Sequence, residues 1–222
     1  MRVKICGIKN EKELETAVSA GADAVGFMVG QRHPSQDFIL PGTAARLASL
    51  LPPFVSPVLV THLTEPDAVM ELVDQTLITT LQLHGGSRPE QIIPLLEYLE
   101  GAGKLILAVH VTAPGEFSPD PAPYYEKVNA ILLDSMDPAT GRVGGTGRTH
   151  DWNTSARLAA ASPRPVILAG GLNPDNVAEA IRRVRPFAVD VNSSLKGFGG
   201  ELDPRISAAF VRNAKNALDV SA

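Results

Sequence analysis

Two residues suited to proton transfer stand at the ends of apolar, strand-like runs. Cys6 closes Val3-Lys4-Ile5-Cys6 beside Gly7, and Asp134 follows Ala130-Ile131-Leu132-Leu133. Lys4 is two residues from Cys6, so an extended strand puts both on one face. A neighbouring ammonium lowers a thiol pKa, and a thiolate there serves as nucleophile or general base. The plainer reading of a lone cysteine in a strand is a small buried apolar residue. Asp134 reads either as a cap of the following loop or, with its pKa raised by burial, as a general acid. An acid and a base brought together fit a proton-moving isomerase.

Two further segments look like a phosphate cradle. Gly170-Gly171-Leu172-Asn173-Pro174 and Asn192-Ser193-Ser194 each follow an apolar run. Glycine lets backbone N–H groups approach phosphate oxygens, and the alternative is a pair of plain turns. His33, His62, His84 and His110 stand in the loop after the second run or at the ends of later ones, with Gln82 and Asp190 at comparable positions. Spread over separate strands, the histidines have no local ligand spacing, so no metal is expected. Gly144-Gly145-Thr146-Gly147 is no dinucleotide motif, because it does not follow a strand and open a helix. It reads as a lid or a backbone contact to substrate.

The elements that must position these groups alternate along the chain. Strands are expected at about 3–6, 24–29, 58–61, 78–83, 105–109, 130–133, 165–169 and 187–191. Helices are expected after each one. Asn10 caps the first, which Gly21 closes; Pro41, Pro66, Pro89, Pro174 and Pro204 suit first turns. Thr64 is the expected cap of the third helix, and Ser87-Arg88-Pro89-Glu90 has capping-box spacing. Residues 112–123 hold four prolines and read as an irregular loop before a short helix near 124–127. Eight strand–helix units without a polar linker predict an α/β fold, a (β/α)8 TIM barrel forming a single domain over residues 1–222. An open doubly wound sheet is the competing architecture. In the barrel the active site lies at the C-terminal ends of the strands, and the loops after strands seven and eight commonly hold phosphate. Every candidate named above falls there.

Composition narrows the function classes. Hydrophobic residues make up 44% and charged residues 20% of 222 residues, enough for a sizeable core. One cysteine makes no intrachain disulfide and fits a reducing, cytoplasmic setting. No apolar run approaches the roughly 18 residues of a membrane span, and the N-terminus lacks a secretory signal pattern. A formal charge of −4 and 5% aromatic residues give no footprint for nucleic acid. The outer helices mix charge and alanine without one apolar stripe, which leaves monomer or homodimer open.

Taken together, the chain resembles the phosphoribosylanthranilate isomerase family of tryptophan biosynthesis. The resemblance rests on Lys4-Ile5-Cys6-Gly7-Ile8, Gly21-Ala22-Asp23-Ala24-Val25-Gly26-Phe27, Leu81-Gln82-Leu83-His84-Gly85 and Leu132-Leu133-Asp134. It continues through Gly144-Gly145-Thr146-Gly147 to Asp151-Trp152, then Leu168 to Val177, and Asp190-Val191. It implies a cofactor-free Amadori rearrangement of a phosphorylated sugar substrate. Asp134 would be the general acid on the furanose ring oxygen and Cys6 the base at C2. Lys4, Gln82, His84 and Asp190 would line the substrate site, with Asp190 at the sugar hydroxyls; Gly170, Gly171, Asn192, Ser193 and Ser194 would hold the phosphate.

The chain departs from that family where the aromatic acid should bind. The usual Arg after strand two is Ser35, with Arg32 and His33 nearby; strand three ends Thr61-His62-Leu63, and strand five carries Leu107 where a Lys is usual. The phosphate loop has Ser194 in place of Gly. Arg32, His33, His62 and Asp37 are expected to form a changed polar pocket. Two alternatives accompany the isomerase reading: a paralogue acting on another phosphorylated sugar or aminosugar, and a non-catalytic phosphate-ligand-binding protein.

Overall fold

The structure is a computed structural model that describes residues 1–32, 35–135 and 150–218. Strands β1 (Arg2–Cys6), β2 (Ala24–Met28), β3 (Ser56–Thr61), β4 (Thr80–Leu83) and β5 (Lys104–Ala113) are followed by β6 (Glu116–Ser118), β7 (Ala130–Ser135), β8 (Val166–Leu168) and β9 (Ala188–Val191). Helices α1 (Glu11–Ala20), α2 (Pro41–Ser49), α3 (Pro66–Thr76), α4 (Pro89–Tyr98), α5 (Trp152–Ala161), α6 (Val177–Val184) and α7 (Pro204–Lys215) fill the connections. All strands but β6 pair in parallel, β1 pairs with both β2 and β9, and the β4–β5 pairing closes the ring. This is the expected (β/α)8 barrel, with β7, β8 and β9 as its sixth, seventh and eighth staves.

Period-two alternation separates two cores. One set of strand residues, including Ile5, Phe27, Leu59, Leu81, Leu107, Leu133 and Val189, packs outward against the helices. The other set, Cys6, Val58, Val60, Ile106, Ala108, Leu132, Ile167 and Ala169, fills the barrel. The inward series continues toward the C-terminal mouth as Gln82, His110, Asp134 and Asp190, all buried. The strands therefore present apolar residues in the barrel's body and polar ones at its mouth.

Several expectations are corrected in detail. The proline-rich stretch after β5 is not irregular. β5 runs on to Ala113 and turns back through Gly115 into β6, pairing His110 with Ser118 and Val111 with Phe117. The short helix expected near 124–127 is a single 3-10 turn at Ala122–Tyr124. Glu65, not Thr64, precedes α3. The Arg88 N–H, not Ser87, takes the Gln91 Oε1 acceptor at the start of α4. Asn173 and Pro174 form a turn before α6, in which Asn173 Oδ1 accepts from the N–H groups of Asp175 and Asn176. The first helix is as read: Asn10 Oδ1 accepts from the Glu13 N–H, and Gly21 ends it in the left-handed conformation at φ 91°. Among the described residues, no helix is long and apolar enough to cross a membrane.

Candidate active site

The floor of the mouth is built on β1. Lys4 and Cys6 point inward together, and both are buried. Lys4 Nζ lies 2.9 Å from each oxygen of Asp190, its register partner on β9. Burial disfavours the ammonium, but the Asp190 and Cys6 charges outweigh it, and the Lys4 pKa is raised. Room for both side chains comes from Gly26, the register partner of Cys6 on β2. A Cβ there would stand 2.6 Å from Cys6 Sγ and 3.1 Å from Lys4 Nζ. The same glycine's carbonyl accepts from the N–H groups of Gly7 and Ile8, fixing the chain just past Cys6.

The thiol does not behave as its proximity to Lys4 predicts. Burial pushes the Cys6 pKa up, Lys4 opposes this, and Asp190 and Asp37 add to the rise, leaving it at about 11. The resting group is a protonated thiol. The lowering by Lys4 is present but is outweighed by burial, with Asp190, a residue 186 positions from Lys4, adding to the rise.

Three strands further round the ring, Asp134 departs from expectation in the opposite sense. Burial pushes its pKa up, but the hydrogen bond and charge of His84, the charge of His110 and the Ser135 N–H outweigh it, and the pKa is lowered. His84 Nε2 lies 3.4 Å from Asp134 Oδ2, and the Ser135 N–H donates to Oδ1 at 2.7 Å. Gln82 Nε2 meets His84 Nδ1 at 3.0 Å, while Gln82 Oε1 is buried without a hydrogen-bond partner among the described residues. The rings of His62, His84 and His110 stand in a row, with centroids 5.5 and 5.3 Å apart. Burial, with the His84 charge, pushes His110 down to about 4.

The candidate phosphate loops meet on the other side of the mouth. Gly170 and Gly171 have φ of 82° and 66°, and a Cβ on Gly170 would fall 2.6 Å from the Ser135 nitrogen. The loop after β8 thus lies directly on the end of β7. Asn176 Nδ2 donates to the Gly171 carbonyl, and Ser194 Oγ donates to the Leu172 carbonyl at 2.5 Å. The Ser194 hydroxyl, present where the resembled family has glycine, staples the two loops together. Ser193 and Ser194 open a 3-10 turn, whose first N–H groups have no partner within the turn. The Asn192 side chain turns away, packing on Gly7 and donating Nδ2 to Asp37 Oδ2 at 2.9 Å.

The residues expected to form a changed pocket separate. Asp37 is taken up by Lys196, Asn192 and Lys9, so it ties the loop after β2 to the loop after β9. Ser35 is exposed and accepts from the Asp37 N–H. Arg32 is exposed and reaches Thr64 Oγ1 at 2.5 Å, across the mouth of β3. His62 follows β3 beside His84. His33 and the glycine run 144–147 lie outside the described residues.

Sequence reasoning passed over Gly26 as the residue that makes the space for Cys6, and it named His110 at a strand end without its partner Asp134, opposite it in the β5–β7 register. Gly26 carried a signal, since a glycine inside a strand marks a close approach. His150, near enough for the Asp134 charge to oppose its burial-lowered pKa, gave none.

Known proteins are similar to this chain in architecture and sequence. The family model described as N-(5′phosphoribosyl)anthranilate (PRA) isomerase matches residues 3–213. N-(5′-phosphoribosyl)anthranilate isomerase 2 of Methanosarcina mazei is 42% identical over 216 residues, 97% of this chain and 95% of its own. The crystal structure of phosphoribosyl anthranilate isomerase from Thermotoga maritima superimposes with a TM-score of 0.83 at 38% identity, covering 97% of this chain and 99% of that one. A phosphoribosyl anthranilate isomerase solved with reduced 1-(o-carboxyphenylamino)-1-deoxyribulose 5-phosphate gives a TM-score of 0.80 at 35% identity, with coverage of 97% and 99%.

Proposed function

The chain belongs to the N-(5′-phosphoribosyl)anthranilate isomerase family, and we propose that it opens the ribose ring of phosphoribosylanthranilate and rearranges it to the 1-deoxyribulose phosphate, with Asp134 as acid and Cys6 as base. The observation that carries the assignment of roles is the buried carboxyl and buried thiol on opposing parts of one mouth, each held by its own charged neighbours.

Proton accounting fits these two groups. Asp134 gives its proton to the ring oxygen as the C1–O bond breaks, leaving a Schiff base. The Cys6 thiolate then takes the C2 proton, and the enolamine tautomerises to the ketone. One turnover ends with Asp134 as carboxylate and Cys6 as thiol, the resting state that the pKa shifts favour. The pair therefore begins and ends each turnover with one proton, holds none between ring opening and C2 deprotonation, and starts a new cycle when the proton taken from C2 passes from Cys6 to Asp134. His84, 3.4 Å from Asp134, is placed to deliver it.

The remaining residues orient the substrate. The N–H groups of Gly170, Gly171, Ser193 and Ser194 take the phosphate, and the Lys4–Asp190 pair faces the sugar hydroxyls. Arg32 is assigned to the anthranilate carboxylate, because its described partner is the neutral Thr64 hydroxyl and its charge is available for an anion. The phosphorylated-sugar paralogue is not favoured, since the isomerase family model spans residues 3–213 and full-length relatives at 42% identity carry the isomerase name.

The test is direct. Phosphoribosylanthranilate is generated in situ from anthranilate and phosphoribosyl pyrophosphate, and its fluorescence is followed on adding the protein. Rapid decay is expected. Cys6→Ala and Asp134→Asn should each lower kcat by roughly 10²–10⁴-fold, and Arg32→Ala should raise KM with a smaller change in kcat. A folded wild-type chain that leaves the fluorescence unchanged would refute the activity. Full turnover by Cys6→Ala would refute the assignment of the base.

A further inference from the structure

Three residues with no common sequence spacing converge beside the acid. His84 follows β4, His110 lies in β5 and Asp134 in β7, three staves that are consecutive neighbours in the closed ring. Each offers a ligand atom within 4.8 Å of the other two. His110 and Asp134 are register partners, so backbone pairing fixes their approach. His84 Nε2 stands 3.4 Å from Asp134 Oδ2. Ligands at zinc bond lengths in a tetrahedron are about 3.3 Å apart, so this pair already spans one edge. The His110 ligand atom lies within 4.8 Å of the other two, and occupation of the site requires it to close to the same spacing.

Two orphaned atoms point to the same event. His110 Nδ1 and Gln82 Oε1 are buried with no hydrogen-bond partner among the described residues. Turning the Gln82 amide over would place Oε1 against His84 Nδ1, 3.0 Å away, as acceptor for an Nδ1–H. His84 Nε2 would then present a lone pair toward Asp134, the arrangement a supporting amide gives a metal-bound imidazole. Two imidazoles and one carboxylate with an open position suit borderline metals such as Zn(II) and Co(II), not Mg(II).

We propose that His84, His110 and Asp134 form a reversible site for one divalent transition-metal ion of the zinc and cobalt class, and that its occupation switches the isomerase off. The metal takes the carboxylate that would otherwise carry the proton, so inhibition competes with substrate. The binding half stands on geometry alone; the inhibition half rests on the assignment of Asp134 as acid.

The test titrates the metal-free, full-length protein with cobalt(II) chloride and reads visible d–d absorption, then displaces cobalt with zinc chloride. One equivalent per chain is expected, with His110→Gln weakening binding by at least roughly ten- to a hundredfold. Imidazole ¹⁵N resonances of the wild-type protein provide a readout without any variant, and two histidines should shift on adding zinc. Turnover should fall in step with zinc occupancy, while the turnover that His110→Gln retains, at whatever level, should no longer respond to zinc. No cobalt band and no imidazole shift, or binding unchanged in a folded His110→Gln, would overturn the site. Stoichiometric binding with undiminished turnover would overturn the inhibition alone, and a wild-type chain that binds cobalt but never isomerises would refute the function while leaving the site standing.

Discussion

Gly26 contributes no side chain, and the placement of Cys6, the base we propose, depends on that. Its φ lies outside the left-handed region, so alanine is acceptable to the backbone and objectionable only to Cys6 Sγ and Lys4. Gly26→Ala should leave a folded barrel with kcat reduced at least about tenfold, since small misplacement of a reacting group is costly. Normal turnover in that variant would show that Cys6 need not sit where it does. The one-proton pair sets the pH profile. Below the lowered Asp134 pKa both groups are protonated and no base exists; above the Cys6 pKa both are empty and no acid exists. A plot of kcat/KM against pH should be flat through neutrality and fall on the alkaline side only near 11. An alkaline fall near an ordinary thiol value of about 8.5 would mean Cys6 is not held as described. The identities of Cys6 and Asp134 were legible from strand-end position, and Lys4 from its two-residue spacing. Their protonation states were not, because each depends on burial and on a distant charged partner, Asp190 or His84, that only the closed ring supplies.

Elements carry this information unevenly. Caps with a single local solution were readable: Asn10 and Gly21 bound α1 as their chemistry requires. The extension of β5 and its return through β6 were not, because prolines at 114, 119, 121 and 123 mask a hairpin whose partner is the adjacent strand end. Asn173 also misled, since an Asn before Pro starts either a helix or an Asx turn, and here it is the turn. The loop after β8 tests how elements transmit geometry. A side chain on Gly170 would meet the Ser135 nitrogen that also donates to Asp134, and φ of 82° resists any substitution. Gly170→Ala is expected to raise KM for the phosphorylated substrate several-fold and to reduce kcat. Gly42→Ala is its control: nothing lies within 4 Å of that position in α2, so turnover should be unchanged and stability equal or greater by up to about 1 kcal/mol. Equal kinetics for the two variants would sever the loop from the acid.

For the molecule as a whole, alternation and the count of eight strands made the barrel legible, since no other arrangement closes eight parallel staves under helices. What could not be read was which strand ends meet across the ring, a matter of register and tilt. One such meeting lies where β1 joins β9. The buried Lys4–Asp190 pair crosses this junction, and Lys9 and Lys12 reach Gly200 and Glu201 beside it. Lys4→Met should destabilise the fold by about 3–5 kcal/mol in urea titration, because it strands a buried carboxylate, and Lys4→Met with Asp190→Leu should recover much of that loss. A double variant no more stable than the single would show that the pair is held by something other than mutual neutralisation.

The same junction fixes when the enzyme can exist during synthesis. Lys4 leaves the ribosome 186 residues ahead of the carboxylate that neutralises it. At roughly 5–20 residues per second that is a wait on the order of ten to forty seconds. Throughout it, β1 lacks its β9 partner, and the Lys4 ammonium beside Cys6 lacks the Asp190 carboxylate. A nascent chain halted anywhere before β9 holds Cys6 and Lys4 without Asp190, so copies truncated there are expected to show no turnover.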